Sequence, residues 1–182
     1  MISALDFIIQ ALSSLFLFIL LLRFWLPWFR ADFRNPVAQA ILKLTSPIIV
    51  PLRRILPPIG RIDTATVVIA FGVQYLSIVI RLFLFGASAP FVPTAVTALL
   101  MLCILSANLF IVIIIVAILL GWFAQGVYNP VTSMVTSIAD TLLRPFRRLV
   151  PPLGGLDLSP IIPIILLGAL TRLLASWQPI PL

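Results

Sequence analysis

Four long apolar stretches dominate the pattern of this chain, and most of its charged residues lie in the segments between them. They cover residues 7–28, 64–85, 96–123 and 159–175. A helix of about 20 apolar residues crosses the hydrocarbon core of a bilayer, which is roughly 30 Å thick. The fourth stretch is the shortest, and Pro160 and Pro163 stand at its beginning. The pattern predicts an all-α membrane protein with four transmembrane helices.

A second kind of helix is predicted within each pair of spans, over about residues 36–50 and 130–144. Each begins with Asn-Pro, and asparagine suits the N-cap while proline suits the first helical position. The apolar side chains that follow recur at helical spacing: Val37, Ile41, Leu44 and Ile48, then Val131, Val135, Ile138 and Leu142. We expect each helix to end near the next proline, Pro51 or Pro145, because the residue before a proline disfavours the helical conformation. The pattern is typical of an amphipathic helix lying in the plane of the membrane interface.

The chain repeats itself at an offset of 94 residues, without a gap. The repeated motif opens with Asn-Pro at Asn35 and again at Asn129, and continues with Pro-x-Arg-Arg-x-x-Pro-Pro-x-Gly-x-x-Asp. Each copy therefore runs span, interfacial helix, arginine–proline loop, span, which predicts two units over residues 1–90 and 91–182. Two spans in each unit make them parallel repeats, related by an axis along the membrane normal.

The charge distribution supports this interpretation and adds an orientation. Charged residues make up 9% of the chain, whereas a soluble domain carries about 25%. Nine of the twelve Lys and Arg residues lie in the two loops that carry the motif. The positive-inside rule places these loops in the cytoplasm and both termini on the other side. The six residues before the first span contain no Lys or Arg, so we expect this span to be retained and not cleaved as a signal peptide.

The residue types available exclude several kinds of chemistry. The chain has no His and no Glu, and its five Asp residues lie at span ends or in loops. Imidazole metal ligation, axial haem ligation by His and His-based acid–base catalysis are therefore excluded. Cys103 is the only cysteine and lies within the third span, so no disulfide forms within the chain. We expect no cofactor, no metal and no enzymatic activity.

The repeated motif contains the candidate binding residues, two adjacent arginines framed by prolines in each unit. They are Arg53, Arg54, Arg147 and Arg148, with Pro51, Pro57, Pro58, Pro145, Pro151 and Pro152 around them. Two interpretations stay open: a topology anchor, which needs only positive charge, and a docking site for anionic lipid or an acidic partner. The stiff proline frame and the choice of Arg over Lys favour docking, since a guanidinium group contacts phosphate or carboxylate with two parallel hydrogen bonds. Asp63 and Asp157, after each loop, suit the N-cap of the returning span, and Ser159-Pro160 competes for that role in the second copy.

Polar residues within the spans are few. Gln74 and Asn108 fall near mid-depth, where such groups need partners, so we expect them to face the interior of the helix bundle. They either join helices or line a polar permeation path. Arg81 and Arg172 lie near the outer ends of the second and fourth spans, where they either extend to the outer interface or line a vestibule there.

These twin units resemble the YggT family, also called YlmG, which includes CCB-type plastid proteins. The resemblance is carried by the two arginine–proline motifs and covers roughly residues 25–85 and 119–175. Tandem copies are similar to the proteobacterial form, which implies a bacterial inner membrane, with both termini in the periplasm. The family is linked to osmotic-stress tolerance, to division-related gene neighbourhoods, and in plastids to nucleoid distribution and haem attachment to cytochrome b6. It implies no catalytic residue.

Two functional hypotheses from different classes follow. The first is a membrane scaffold or assembly factor whose arginine–proline loops dock anionic lipid headgroups or a protein partner. The second is a small transporter or channel active in the osmotic response, which would need several copies of the chain because four helices barely enclose a pore. Nucleic acid is not expected as a partner, because anionic lipid sufficiently explains basic residues at a membrane surface.

Overall fold

The computed structural model describes residues 2–29, 32–123, 129–148 and 157–180. α-Helices are the only regular secondary-structure elements in these ranges. They are α1 (Ile2–Trp25), α2 (Pro36–Arg53), α3 (Thr64–Leu84), α4 (Phe91–Phe123), α5 (Pro130–Arg147) and α6 (Ile161–Ser176). An isolated antiparallel bridge joins Ile59 and Ile62 across Gly60, whose positive φ of 61° allows a turn between α2 and α3. The prediction of an all-α fold is confirmed.

Three of the helices, α1, α3 and α4, are long and apolar enough to cross a membrane. Their positions confirm the first three predicted apolar helices, although α1 and α4 begin five residues earlier than expected. The fourth predicted span forms the shorter helix α6, with 16 residues. At 1.5 Å per residue α6 is about 24 Å long, which is less than the thickness of the hydrocarbon core. The described residues therefore include three membrane-spanning candidates and one shorter apolar helix.

The starts of α2 and α5 agree with the predicted caps. The side chain of Asn35 accepts a hydrogen bond from the amide of Val37 at 2.8 Å, and that of Asn129 accepts one from the amide of Thr132 at 2.8 Å. A proline occupies the first turn in both helices. The Asn-Pro dipeptide thus marks a helix start in each repeat.

The predicted ends of these helices are wrong by about one turn. Both helices continue through Pro51 and Pro145 and end at the first arginine of each pair. Proline removes one helical hydrogen bond, but neighbouring contacts hold the last turn in place. Those contacts are the burial of Ile49 before Pro51 and, in both helices, the ion pairs made by the terminal arginine.

The apolar stripe predicted for α2 is divided between the protein and its surroundings. Ile41 is buried against the protein rather than left for the membrane, whereas Leu44 and Ile48 are exposed, and Thr45 takes a fully buried position. The helix therefore has one face packed on the protein and an apolar edge directed away from it. The same holds for α5, where Met134, Ile138, Ala139 and Leu143 are buried and Val131 is exposed.

Each repeat packs as a three-helix unit. Within the first, α1, α2 and α3 contact one another in every pairing, and α4, α5 and α6 do the same in the second. The units join through contacts of α1 and α3 with α4 and through a contact of α2 with α5. In the α2–α5 contact, Nδ2 of Asn35 donates a hydrogen bond of 2.6 Å to the carbonyl oxygen of Pro130. The largest apolar cluster draws on both units, so the two motifs are held in one packed body.

Candidate functional site

In the first repeat, an arginine of the motif is paired with the aspartate that ends it. Arg53, at the end of α2, donates two hydrogen bonds to Asp63, at the start of α3: Nε to Oδ1 at 3.1 Å and Nη2 to Oδ2 at 2.6 Å. The hydroxyl of Thr66 donates a third to Oδ2 at 2.6 Å. Asp63 occupies the N-cap position of α3, as predicted, but its carboxylate does not accept a backbone hydrogen bond there. The carboxylate instead ties the arginine–proline loop to the helix that follows it.

A further arginine, Arg23 in the last turn of α1, completes this cluster. Its side chain is 4% exposed, and its Nε lies 3.6 Å from Oδ2 of Asp63. Nη1 donates to Oγ1 of Thr45 at 2.6 Å, to the carbonyl oxygen of Leu42 at 3.2 Å and to Oγ of Ser46 at 3.4 Å. Arg23 therefore joins α1, α2 and the start of α3. We refer to Arg23, Arg53 and Asp63 as the first cluster.

The electrostatics of the first cluster favour the ionised carboxylate. Burial on its own would raise the pKa of Asp63. The hydrogen bonds from Arg53 and Thr66, and the charges of Arg53 and Arg23, outweigh burial and hold this pKa below its usual value. The hydrogen bond to Asp63 in turn raises the pKa of Arg53. The cluster is thus a set of fixed charges at neutral pH.

The second repeat contains a different set of charges, which we call the second cluster. Arg147 donates from Nε to Oδ2 of Asp157 at 3.0 Å and from Nη1 to Oδ1 of Asp140 at 2.7 Å. Burial would raise the pKa of Asp157, but hydrogen bonds from Ser159 and Arg147 hold it below the usual value. The side chain of Asp157 is 41% exposed, against 8% for Asp63. The second cluster is therefore the more open of the two.

The structure separates the roles of the two arginines in each predicted pair. Arg53 and Arg147 are 41% and 43% exposed but each is paired with an aspartate, whereas Arg54 and Arg148 are exposed and form no ion pair within the described residues. The prolines of the first loop, Pro51, Pro57 and Pro58, are exposed, and so is Pro145. Pro151 and Pro152 lie outside the described residues. One cation of each motif thus remains available at the surface.

Only one of the two predicted intramembrane polar residues faces the interior. Gln74 is buried and donates from Nε2 to the sulfur of Met101 at 3.1 Å, which joins α3 to α4. Asn108 lies on the exposed face of α4, so the prediction that it faces the bundle interior is wrong. The rotation of α4 is set by Ala107 and Leu109, its chain neighbours, which are both buried. Gln74 and Asn108 are therefore not brought together.

The two arginines predicted at the outer ends also differ. Arg81 does not extend freely to the interface: its Nε donates to Oδ1 of Asp6 at 2.6 Å, with both side chains largely buried. Arg172 is exposed, and α3 and α6 do not contact one another in the described ranges. The expectation of a shared outer vestibule has no counterpart here, because the partner of Arg81 comes from α1.

Sequence reasoning missed three residues that form ion pairs in the structure: Arg23, Asp6 and Asp140. The signal for Arg23 was available, since an arginine inside an otherwise apolar span needs a partner. The signal for Asp140 lay in the repeat itself, because the first copy carries Ser46 at the corresponding position. In both cases the informative positions are those at which the two copies differ.

Comparison with known proteins gives a consistent family assignment. The family model described as CCB3/YggT matches the chain twice, over residues 2–84 and 96–178. A Pseudomonas aeruginosa protein described as uncharacterized is 40% identical over 172 residues, which covers 93% of this chain and 87% of that protein. The uncharacterized protein YggT of Escherichia coli K12 is 37% identical over 165 residues, covering 91% of this chain and 86% of its own length. The chloroplastic YlmG homolog protein 2 of Arabidopsis thaliana is 39% identical over 67 residues, covering 35% of this chain and 25% of its own. No solved structure matches the chain.

Proposed function

Because the chain belongs to the CCB3/YggT family, whose model matches it twice, we propose that it is a non-enzymatic membrane scaffold with two lipid-docking modules. The relatives named above are not described as enzymes. In this proposal one arginine of each motif docks anionic headgroups or an acidic protein surface, and the other fixes the loop. The identity of the docked lipid or protein would then determine whether the chain acts in assembly or in tolerance of osmotic stress.

The observation that carries the proposal is the division of labour within each arginine pair. Arg53 and Arg147 are held by Asp63 and Asp157 in corresponding hydrogen bonds, and the next residue in each copy is an exposed arginine. A topology anchor needs positive charge but no fixed geometry. Two copies of the same ion pair fix the backbone position from which the neighbouring arginine extends, which favours docking.

The proposed arrangement in the membrane follows from charge and length. Helices α1, α3 and α4 span the bilayer, and α6 crosses as the fourth span with help from its flanking residues. Both arginine–proline loops face the cytoplasm, in a bacterial inner membrane, and both termini face the periplasm. In this orientation α2 and α5 lie at the cytoplasmic interface, where each basic residue near an anionic membrane surface contributes about 1 kcal/mol of attraction.

The test measures lipid retention and stability separately. The double variant Arg54→Gln with Arg148→Gln should lose anionic phospholipid in native mass spectrometry while its thermal unfolding midpoint stays unchanged. The matched variant Arg53→Gln with Arg147→Gln should lower the unfolding midpoint because it breaks the internal pairs. If the first variant retains anionic lipid like the wild type, the lipid-docking role of these arginines is wrong.

One observation favours the alternative, a small transporter or channel. A cavity of about 140 Å³ lies between α1, α3 and α4 and is lined by polar groups that include Ser13, Ser77, Gln74 and Arg81. Ser13 and Ser77 are joined within it by a hydrogen bond of 3.0 Å. Tracer flux in proteoliposomes distinguishes the classes: the scaffold predicts no flux above that of protein-free vesicles. Flux that is abolished by Ser77→Leu would favour the transporter.

A further inference from the structure

The second repeat leaves open a space that the first repeat fills with a guanidinium group. At the offset of 94 residues, the position of Arg23 is occupied by Ala117. A cavity of about 430 Å³ lies between α4, α5 and the start of α6, with Ala117 in its wall.

The contacts of Arg23, compared residue by residue, identify the corresponding site in the second repeat. Four residues supply the groups around its guanidinium: Leu42, Thr45, Ser46 and Asp63. Their counterparts in the second repeat all line the cavity: Thr136, Ala139, Asp140 and Asp157. The counterpart of Arg53, Arg147, lines it as well. The cavity is therefore the equivalent of the space that the Arg23 side chain occupies in the first repeat.

The charges differ between the two sites in the direction that an absent cation would require. The first cluster has two arginines around one carboxylate, and the second has one arginine between two carboxylates. Replacement of Ser46 by Asp140 supplies the extra negative charge at a position whose counterpart contacts Arg23. The second cluster thus combines an open cavity with a net charge of minus one, counted over Arg147, Asp140 and Asp157.

We propose that this cavity binds a guanidinium-bearing organic cation from outside the chain, in the place of the Arg23 side chain. Asp157 and Asp140 accept its hydrogen bonds, while Ala117 and Leu143 contact its apolar portion. A planar group with several donors suits two carboxylates that already share one guanidinium group, and it is only weakly hydrated. The volume far exceeds that of a bare ion, and the charge of Arg147 between the two carboxylates opposes a divalent metal. In the first cluster, the Arg23 side chain is bound in the equivalent position within the same molecule.

The test is equilibrium binding of radiolabelled guanidinium to the full-length protein in detergent at low ionic strength. We expect saturable binding at one site per chain in the wild type. Ala117→Arg places the missing side chain in the cavity and should abolish this binding while raising the thermal unfolding midpoint. Asp140→Ser restores the first repeat's residue at a surface position and should weaken binding at least tenfold without unfolding the protein.

Each contrary result overturns the proposal. Absence of saturable binding by the wild type would do so, as would equal binding by the wild type and Asp140→Ser, because the cation would then bind elsewhere. Equal competition by sodium would exclude a site shaped for guanidinium. Arginine at Ala117 that leaves binding unchanged in a folded protein would show that the cavity is not the site.

Two sources of such a cation, a small solute and a side chain of a partner protein, share this chemistry. Competition distinguishes the two sources. A site for a small solute should bind agmatine and free arginine as tightly as it binds peptides that contain arginine. A partner side chain should be mimicked only by peptides with an internal arginine, which should displace the label at lower concentration than either solute.

Discussion

Nε of Arg23 lies 3.6 Å from Oδ2 of Asp63, so buried charges join the end of α1 to the start of α3. The two side chains are 4% and 8% exposed. The two residues are far apart in the chain, and Thr45 of α2 accepts a hydrogen bond from Arg23 beside this contact. Arg23 and Asp63 therefore hold the three helices of the first repeat together.

Replacement of Arg23 by alanine should destabilise the protein strongly. Breaking a buried ion pair by removing one partner costs about 3–5 kcal/mol, because the remaining charge stays buried. Here Arg53 still compensates Asp63 in part, so we expect the lower end of this range. The measurement is the free energy of unfolding in mixed micelles, with Arg172→Ala as control at an exposed position. Equal stability of Arg23→Ala and the control would contradict the role given to this side chain.

Asp6 and Arg81 should show energetic coupling in a double-mutant cycle. Their side chains are 18% and 10% exposed and are joined by two hydrogen bonds, of 2.6 and 3.4 Å. We expect Asp6→Asn and Arg81→Gln each to lower the unfolding midpoint, and the double variant to lose less than their sum. Coupling of about 1 kcal/mol or more is typical of residues in one ion-pair network. Additive effects would mean that the two residues act separately.

Acidification should remove the contribution of Asp63 to stability. The pKa of this carboxyl is lower in the folded protein than its ordinary value, so its stabilising effect is complete above the unfolded pKa of about 3.9. It is lost as the pH falls through the lower, folded pKa. Unfolding midpoints measured from pH 6 downwards should therefore fall more steeply for the wild type than for Asp63→Asn. Asp157→Asn is the matched variant and should change the slope less, because Asp157 is the more exposed carboxylate.

Lysine substitution should separate the two arginines of each motif. Lysine keeps the charge but cannot make the paired hydrogen bonds of a guanidinium group. Arg53→Lys should lower the unfolding midpoint, since Arg53 contacts both oxygens of Asp63, whereas Arg54→Lys should leave it unchanged. If docking needs the planar group, Arg54→Lys with Arg148→Lys should still fail to complement a deletion strain under osmotic upshift. Full complementation would favour a topology anchor.

The proposed topology can be tested with single cysteines in a Cys103→Ser background. Ser3, Ser88 and Arg61 are all exposed. Cysteines at Ser3 and Ser88 should react with an impermeant maleimide added from the periplasmic side, and a cysteine at Arg61 should react only after the membrane is opened. Labelling of the Arg61 position alone in intact cells would reverse the orientation.

Local features of this fold were predictable from the sequence because their causes are local. The Asn-Pro caps need only the residues of one helical turn, and the repeat is visible at a constant offset. The three long apolar helices follow from composition alone. These are interactions within a few residues or along one helix, which periodicity describes well.

The features that depend on helix rotation were not predictable in the same way. Asn108 and Gln74 are both polar residues near mid-span, yet one is exposed and the other buried. Which side of an all-round apolar helix faces its neighbours is set by packing, and α4 carries almost no asymmetry in its apolar pattern. The partner of Arg81 is Asp6, near the start of α1. The two residues are distant in the chain, so no local sequence spacing predicts their contact.

The hydrogen bond from Asn35 to Pro130 joins α2 of one repeat to α5 of the other within a single polypeptide. Two separate copies of such a unit would have to find one another in the membrane, and their pairing would depend on abundance. Covalent linkage makes the pairing intramolecular, with a fixed effective concentration. It also frees the copies from symmetry: in a pair of identical chains every substitution appears twice, whereas here a change such as Arg23 against Ala117 appears once. Gene duplication has therefore given this protein one sealed unit that can carry stability and one open unit that is free to acquire a different task.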